Sequence, residues 1–214
     1  MSRNGRQPKH TYIDLFCGCG GLSLGLESAG FDRLLANDVS PMAAETFAYN
    51  LVEGARDSAS PGPVNLGGGY FDFLVEPRFD GEHPDGRSYR DWRLYPKTAR
   101  SINRRAVEAL SSGSGSGVVV GRAELLAKVL ASNPIDRLRG IDLLAGGPPC
   151  QSFSLAGKRQ KDHERNSLFR SFVKIAELTN PRVILFENVL GITAPFRDGS
   201  ENPVHPWFEV CKAF

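Results

Sequence analysis

A short apolar run, Tyr12-Ile13-Asp14-Leu15-Phe16, stops at Cys17-Gly18-Cys19-Gly20-Gly21. Leu22, Leu24, Leu26 and Ala29 follow at mixed helical spacing, up to Gly30. A strand that ends on glycines and turns at once into a helix opens a βα unit, which narrows the possible architectures sharply. Leu34-Leu35-Ala36 reads as a second strand ending at Asn37-Asp38. Ser40-Pro41 opens a second helix through about Tyr49, with proline at its first position and serine before it. Val118-Val119-Val120, Ile141-Asp142-Leu143-Leu144-Ala145 and Val183-Ile184-Leu185-Phe186 read as buried parallel strands, with helices over 122–131 and 166–179. The expected fold is α/β: a Rossmann-like, doubly wound, mostly parallel sheet.

The 214 residues carry 41% hydrophobic side chains and a formal net charge of +2. That supports one sizeable core, and the charge by itself points to neither nucleic acid nor membrane. No secretory signal opens the sequence, and no apolar run approaches the roughly 18 residues of a membrane span. A reducing, cytoplasmic setting is expected, with Cys17, Cys19, Cys150 and Cys211 as free thiols. Cys17 and Cys19 form a C-x-C with no second close pair and no histidine nearby, so no metal site is expected.

Residues 1–10 read as a loose basic tail and 11–214 as a single domain. Residues 51–117 interrupt the βα rhythm with Pro61-Gly62-Pro63, Gly67-Gly68-Gly69 and a linker-like Ser/Gly run from Ser111 to Gly117. They are expected to form an insertion, partly packed by aromatics such as Tyr70, Phe71, Tyr89 and Trp92. The domain looks unfinished on its C-terminal side, because only about 25 residues follow Val189.

Two places carry chemistry. Gly18, Gly20 and Gly21 let the backbone approach a ligand closely, and the helix N-terminus behind them favours negative charge. Asp38, 20 residues beyond Gly18 at the end of the second strand, can accept hydrogen bonds from ribose hydroxyls. The pair suggests a nucleoside-containing cofactor. Ser23 stands where a dinucleotide fingerprint needs its third glycine, which argues against nicotinamide or flavin. The second place is Gly146-Gly147-Pro148-Pro149-Cys150-Gln151-Ser152-Phe153-Ser154, after a strand end. Two prolines leave little freedom before Cys150, which makes its thiol a candidate nucleophile. The basic residues Lys158, Arg159, Lys161, Arg165 and Arg170 follow and could meet a phosphate backbone.

Together these segments resemble the cytosine-5 DNA methyltransferase family. Asp14-Leu15-Phe16-Cys17-Gly18-Cys19-Gly20-Gly21-Leu22-Ser23 is similar to its S-adenosyl-L-methionine loop. Gly147 to Ser154 is similar to its catalytic motif, and Phe186-Glu187-Asn188-Val189 to its glutamate motif. The resemblance implies that Cys150 attacks carbon 6 of cytosine and that a protonated Glu187 holds ring nitrogen 3. It implies that Asn188 braces the cysteine loop. Phe16, Gly18, Cys19, Gly20, Gly21, Asp38, Val39, Pro149 and Leu168 would line the cofactor. DNA is the implied substrate, with the target base flipped out of the duplex.

Two departures stand out. Val120-Gly121-Arg122 occupies the place of the family's adenine-reading acid, so either Arg122 replaces it or the correspondence slips. The later family motifs, including the arginine motif and the target-recognition region, find no match. Three readings therefore stand side by side. The first is a DNA enzyme, truncated or split, whose second chain supplies target recognition and the arginine motif. The others are a tRNA cytosine-5 methyltransferase and an inactive remnant or binding subunit.

Overall fold

The computed structural model describes residues 10–52, 64–66, 69–74, 104–112, 116–149, 168–194 and 205–214. In chain order the elements are β1 (Thr11–Leu15), α1 (Gly21–Ser28), β2 (Asp32–Asp38), α2 (Pro41–Leu51), β3 (Val64–Leu66) and β4 (Gly69–Phe73). They continue with α3 (Arg104–Ser112), β5 (Ser116–Val120), α4 (Ala123–Ser132), β6 (Leu143–Gly146), α5 (Leu168–Thr179), β7 (Val183–Phe186) and α6 (Pro206–Ala213). Local chemistry sets several of these boundaries. The Ser40 hydroxyl accepts from the amide of Ala43 and Pro41 occupies the first turn of α2, so that helix starts where the sequence predicts.

The strands form one seven-stranded sheet in the order β3-β4-β5-β2-β1-β6-β7. Every pairing is parallel except that of β3 with β4. Helices cover both faces, as a doubly wound sheet requires. On one face Ile13, Leu15, Leu35, Val119 and Leu144 pack with α3, α4 and α5. On the other, Ala36, Val118 and Val120 pack against Ala44, Phe47 and Ala48 of α2. Tyr12, Leu143 and Ala145 on that same side meet Leu22 and Leu26 of α1.

Two expectations need correction. Residues 51–117 contribute more than an insertion beside the sheet, because β3 and β4 extend it next to β5 and α3 joins the main core. The remaining aromatics of that segment, and the tail up to residue 9, lie outside the described residues. Secondly, β7 is not buried on both faces. Val183 is 58% exposed and Leu185 40% exposed, whereas Ile184 and Phe186 pack into the core. The sheet ends at β7, and an edge strand needs a cover from outside its own hairpin or helix to become buried.

Candidate active site

All six parallel strands end at one edge of the sheet. The order of successive strands reverses at the β1–β6 boundary, since the chain winds outward from β1 through β2 on one side and from β6 to β7 on the other. The crevice at such a switch point is where doubly wound sheets bind ligands. The loop after β1 and the Gly147-Pro148-Pro149 segment after β6 flank it, since Leu15 is paired with Gly146.

The loop after β1 is built tightly. Phe16 has φ 57 and Gly20 has φ 97, both in the left-handed region. At Gly20 the absence of a side chain is also a packing need, because a Cβ there would meet Leu51 at 2.6 Å and Phe47 at 2.9 Å. A phenylalanine at positive φ is uncommon, and such residues cluster at functional sites. Gly18 and Gly21 face open space, with nothing within 4 Å of an added Cβ. Cys19 is exposed beside them. The N-terminus of α1 receives no side-chain cap.

Asp38 does more than the sequence suggests. Its Oδ2 accepts from the amide of Gly18 at 2.9 Å and its Oδ1 from the amide of Ser40 at 2.7 Å. The carboxylate thus joins the glycine loop to the start of α2, and each oxygen keeps a further acceptor position. Val39 next to it is 50% exposed.

Beneath the loop lies a polar layer that sequence reading missed. The buried Ser23 hydroxyl donates to Asp14 Oδ2 at 2.6 Å. Asp14 Oδ1 is buried with no hydrogen-bond partner among the described residues. Burial pushes the Asp14 carboxyl up to about 6, against the pull of Ser23 and Arg33. Burial, and then the charges of Asp14 and Asp38, push the Cys17 thiol well up, so it is a poor nucleophile. Arg33, buried, pairs with Glu27 of α1, donates to the Leu51 carbonyl of α2 at 2.6 Å and stacks over the Phe47 ring at 4.8 Å. The one available signal was a serine inside an otherwise apolar helix pattern.

Across the crevice, the Glu187 amide donates to the Gly146 carbonyl at 3.0 Å, continuing the β6–β7 ladder. A Cβ on Gly147 would come within 2.6 Å of Glu187 Oε2. Asn188 Nδ2 donates to the Pro148 carbonyl at 3.1 Å. The structure therefore brings Glu187 and Asn188 against Gly147-Pro148. Pro149 is exposed at the end of this segment, and Leu168 opens α5 half-buried. Cys150, residues 151–154 and the basic residues 158–165 lie outside the described residues. Arg122 is exposed at the N-terminal boundary of α4, directly after β5. Two residues on, Glu124 has a buried Oε2 without a partner among the described residues.

A doubly wound sheet with a glycine turn on one side of its switch point and a Glu-Asn pair on the other defines a Rossmann-like methyltransferase domain. Residues 10–73 and 127–201 match C-5 cytosine-specific DNA methylase, and the chain belongs to that family. It is 29% identical over 181 residues to the type II methyltransferase M.XorII of Xanthomonas oryzae pv. oryzae, covering 85% of this chain and 28% of the relative. It is 30% identical over 182 residues to the type II methyltransferase M1.HphI of Haemophilus parahaemolyticus, covering 84% and 32%. The chain thus spans about a third or less of the length of these relatives. A solved protein from an E. coli prophage, described as a DNA modification methyltransferase, superposes with a TM-score of 0.52. It is 23% identical and covers 96% of this chain and 37% of its own, a likeness of fold. Among the described residues no helix is long and apolar enough to cross a membrane.

Proposed function

We propose that this chain forms the cofactor-binding and catalytic part of an enzyme that transfers a methyl group from S-adenosyl-L-methionine to carbon 5 of cytosine in DNA. The observation that carries the reading is the bracing of Gly147-Pro148 by Glu187 and Asn188. Gly147 precedes Cys150 by three residues in the sequence, which supports pairing this glutamate with that cysteine.

The residues around the glycine loop suit the cofactor. An orphaned buried carboxylate oxygen on Asp14, an uncapped helix start and open space at Gly18 and Gly21 suit an amino-acid end that carries both charges. Asp38 suits a ribose through its remaining acceptor positions. Bound there, the sulfonium cofactor supplies an electrophilic methyl group.

The chain's own residues prepare the acceptor. Carbon 5 of cytosine is a weak nucleophile. The Cys150 thiolate forms a bond to carbon 6, and the electron pair of the 5,6 double bond becomes available at carbon 5. Glu187 hydrogen-bonds ring nitrogen 3, where negative charge grows. Asn188 holds the loop so that sulfur and carboxyl reach one ring. Once carbon 5 has taken the methyl group, its proton passes to solvent, and the electron pair left behind re-forms the 5,6 double bond as the sulfur–carbon 6 bond breaks and frees the thiolate.

The test is a trap. The chain, alone and with the polypeptide encoded directly downstream of it, is incubated with cofactor and DNA carrying 5-fluorocytosine, whose carbon 5 has no proton to lose. A denaturant-resistant adduct on Cys150, absent in Cys150→Ser, is expected. Folded protein that forms no adduct under either condition overturns the reading. An adduct on tRNA alone moves the substrate to RNA.

A further inference from the structure

Arg33 of β2 is a buried cation that the reaction described above does not use. Its side chain is 2% exposed. A guanidinium taken out of water is costly unless its donors are matched. Here they are matched on two helices at once. One arm pairs with Glu27 in the last turn of α1, and another donates to the carbonyl of Leu51, the last residue of α2, at 2.6 Å. The last carbonyls of a helix lack intrahelical donors, so a cation suits that place. The guanidinium also lies over the Phe47 ring at 4.8 Å. Glu27 in turn accepts from the Tyr12 hydroxyl at 3.2 Å, which ties α1 to β1.

Phe47 and Leu51, the two α2 residues that Arg33 holds, are also the ones that close on Gly20. A Cβ there would meet Leu51 at 2.6 Å and Phe47 at 2.9 Å. Gly20 is the N-terminal boundary of α1, and α1 is only eight residues long. So short a helix has little stability of its own, and ties from outside decide where its first amides stand. The other end of the turn has a separate tie, from the Gly18 amide to Asp38 at 2.9 Å. The charge of Arg33 is felt at the turn as well, where it opposes the upward push of burial on Asp14 and Cys17.

We infer that Arg33 is a positioning residue for the cofactor: by clamping α1 to α2 it fixes the Gly20 end of the turn and the first amides of α1, which receive the amino-acid end. The inference rests on the functional reading above for the identity of that ligand. It gives Arg33 no contact with cofactor or DNA. A planar fork serves two partners in fixed directions, whereas a lysine ammonium is a point charge on a flexible stem. Loss of the fork displaces the donors for the amino-acid end and leaves the ribose side, held by Asp38, in place.

Two measurements test this, and the first needs no ligand. In Arg33→Met, hydrogen exchange should quicken at least about tenfold at the amides of Gly20 and Leu24, through local opening. Those amides are bonded to the carbonyls of Cys17 at 2.9 Å and Gly20 at 2.8 Å. Exchange at Gly18 and in β6 should stay as it is. The second measurement is calorimetry. Affinity for S-adenosyl-L-homocysteine, the cofactor without its methyl group, should fall at least about tenfold, the scale of one lost hydrogen bond to a charged group. Affinity for 5′-methylthioadenosine, which lacks the amino-acid end, should hold within about twofold, since the Asp38 side is undisturbed. Arg33→Lys should behave as Arg33→Met does. Arg182→Met removes an exposed guanidinium from Asp142 and should alter neither readout. Should Arg33→Met fail to fold, Glu27→Ala at its half-buried site removes the α1 arm alone and should give the same split with smaller amplitude. Unchanged exchange in a folded variant, equal losses for both ligands, or full restoration by lysine overturns the inference. Faster exchange at Gly20 and Leu24 in a protein that binds neither ligand would leave Arg33 as the clamp of the turn while the functional reading fell.

Discussion

A methyl group on Gly146 would sit 2.4 Å from the backbone oxygen of Leu15, whereas one on Gly147 would meet the far end of the Glu187 side chain. Backbone inside a sheet cannot step aside, but a carboxylate on a flexible stem can. Gly146→Ala should therefore cost roughly 1–3 kcal/mol of stability by overpacking. Gly147→Ala should change stability by less than about 0.5 kcal/mol, and yet slow adduct formation about ten- to a hundredfold by displacing the carboxyl. Denaturant melts and the 5-fluorocytosine trap separate the two. Asp14 offers a pH test. Its carboxyl rises from 3.8 to about 6 on burial, so the folded state holds the proton more tightly than the unfolded state. The resulting stabilisation is complete below about pH 4 and is lost as pH climbs through 6, a swing on the order of 3 kcal/mol. Asp14→Asn should flatten the stability profile between those values. If the profile keeps its slope in the variant, another group is responsible.

At the scale of elements, the far end of the sheet is tied by a different carboxylate. Asp142, just before β6, accepts from the Thr11 amide at 2.9 Å and from the Arg182 guanidinium at 2.9 Å, joining β1 to the start of β7. The Thr11 amide first, and Arg182 and His10 after it, hold its carboxyl down to about 2. The direction is opposite to that of Asp14. This clamp is intact above about pH 4, the range of an unfolded aspartate, and fails as pH falls towards 2. Asp142→Asn should remove the acid-side loss of stability while leaving the Asp14 window untouched, which thermal melts across pH will show. The elements themselves were mostly legible in the sequence. Apolar runs ending on glycine or Asn-Asp marked β1, β2 and β6, and Ser40-Pro41 marked α2. β3 and β4 were hidden, because Val64–Leu66 and Gly69–Phe73 are short and glycine-flanked, and their hairpin joins the sheet only where β4 meets the distant β5.

Across the whole molecule, what the sequence could and could not convey follows from where partners lie. Phe16, the glycine turn, Asp38 and Glu187-Asn188 were readable because each motif is contiguous and stands at a strand end. The Asp14–Ser23 and Glu27–Arg33 pairs were not, because they form only when α1 folds back over β1 and β2. The exposure of Val183 and Leu185 was misread for a related reason. An unbroken Val-Ile-Leu-Phe run signals burial on both faces, and only the order of strands reveals that β7 stands last.

The bond from the Gly18 amide to Asp38 has a thermodynamic corollary. A carboxylate suited to a sugar already fixes the shape of the turn that would receive the amino-acid end. The loop is then set while the protein folds, so little ordering entropy remains to be lost when a small molecule arrives. Affinity at this crevice should accordingly depend less on how mobile the empty loop is than on how many polar contacts the newcomer completes.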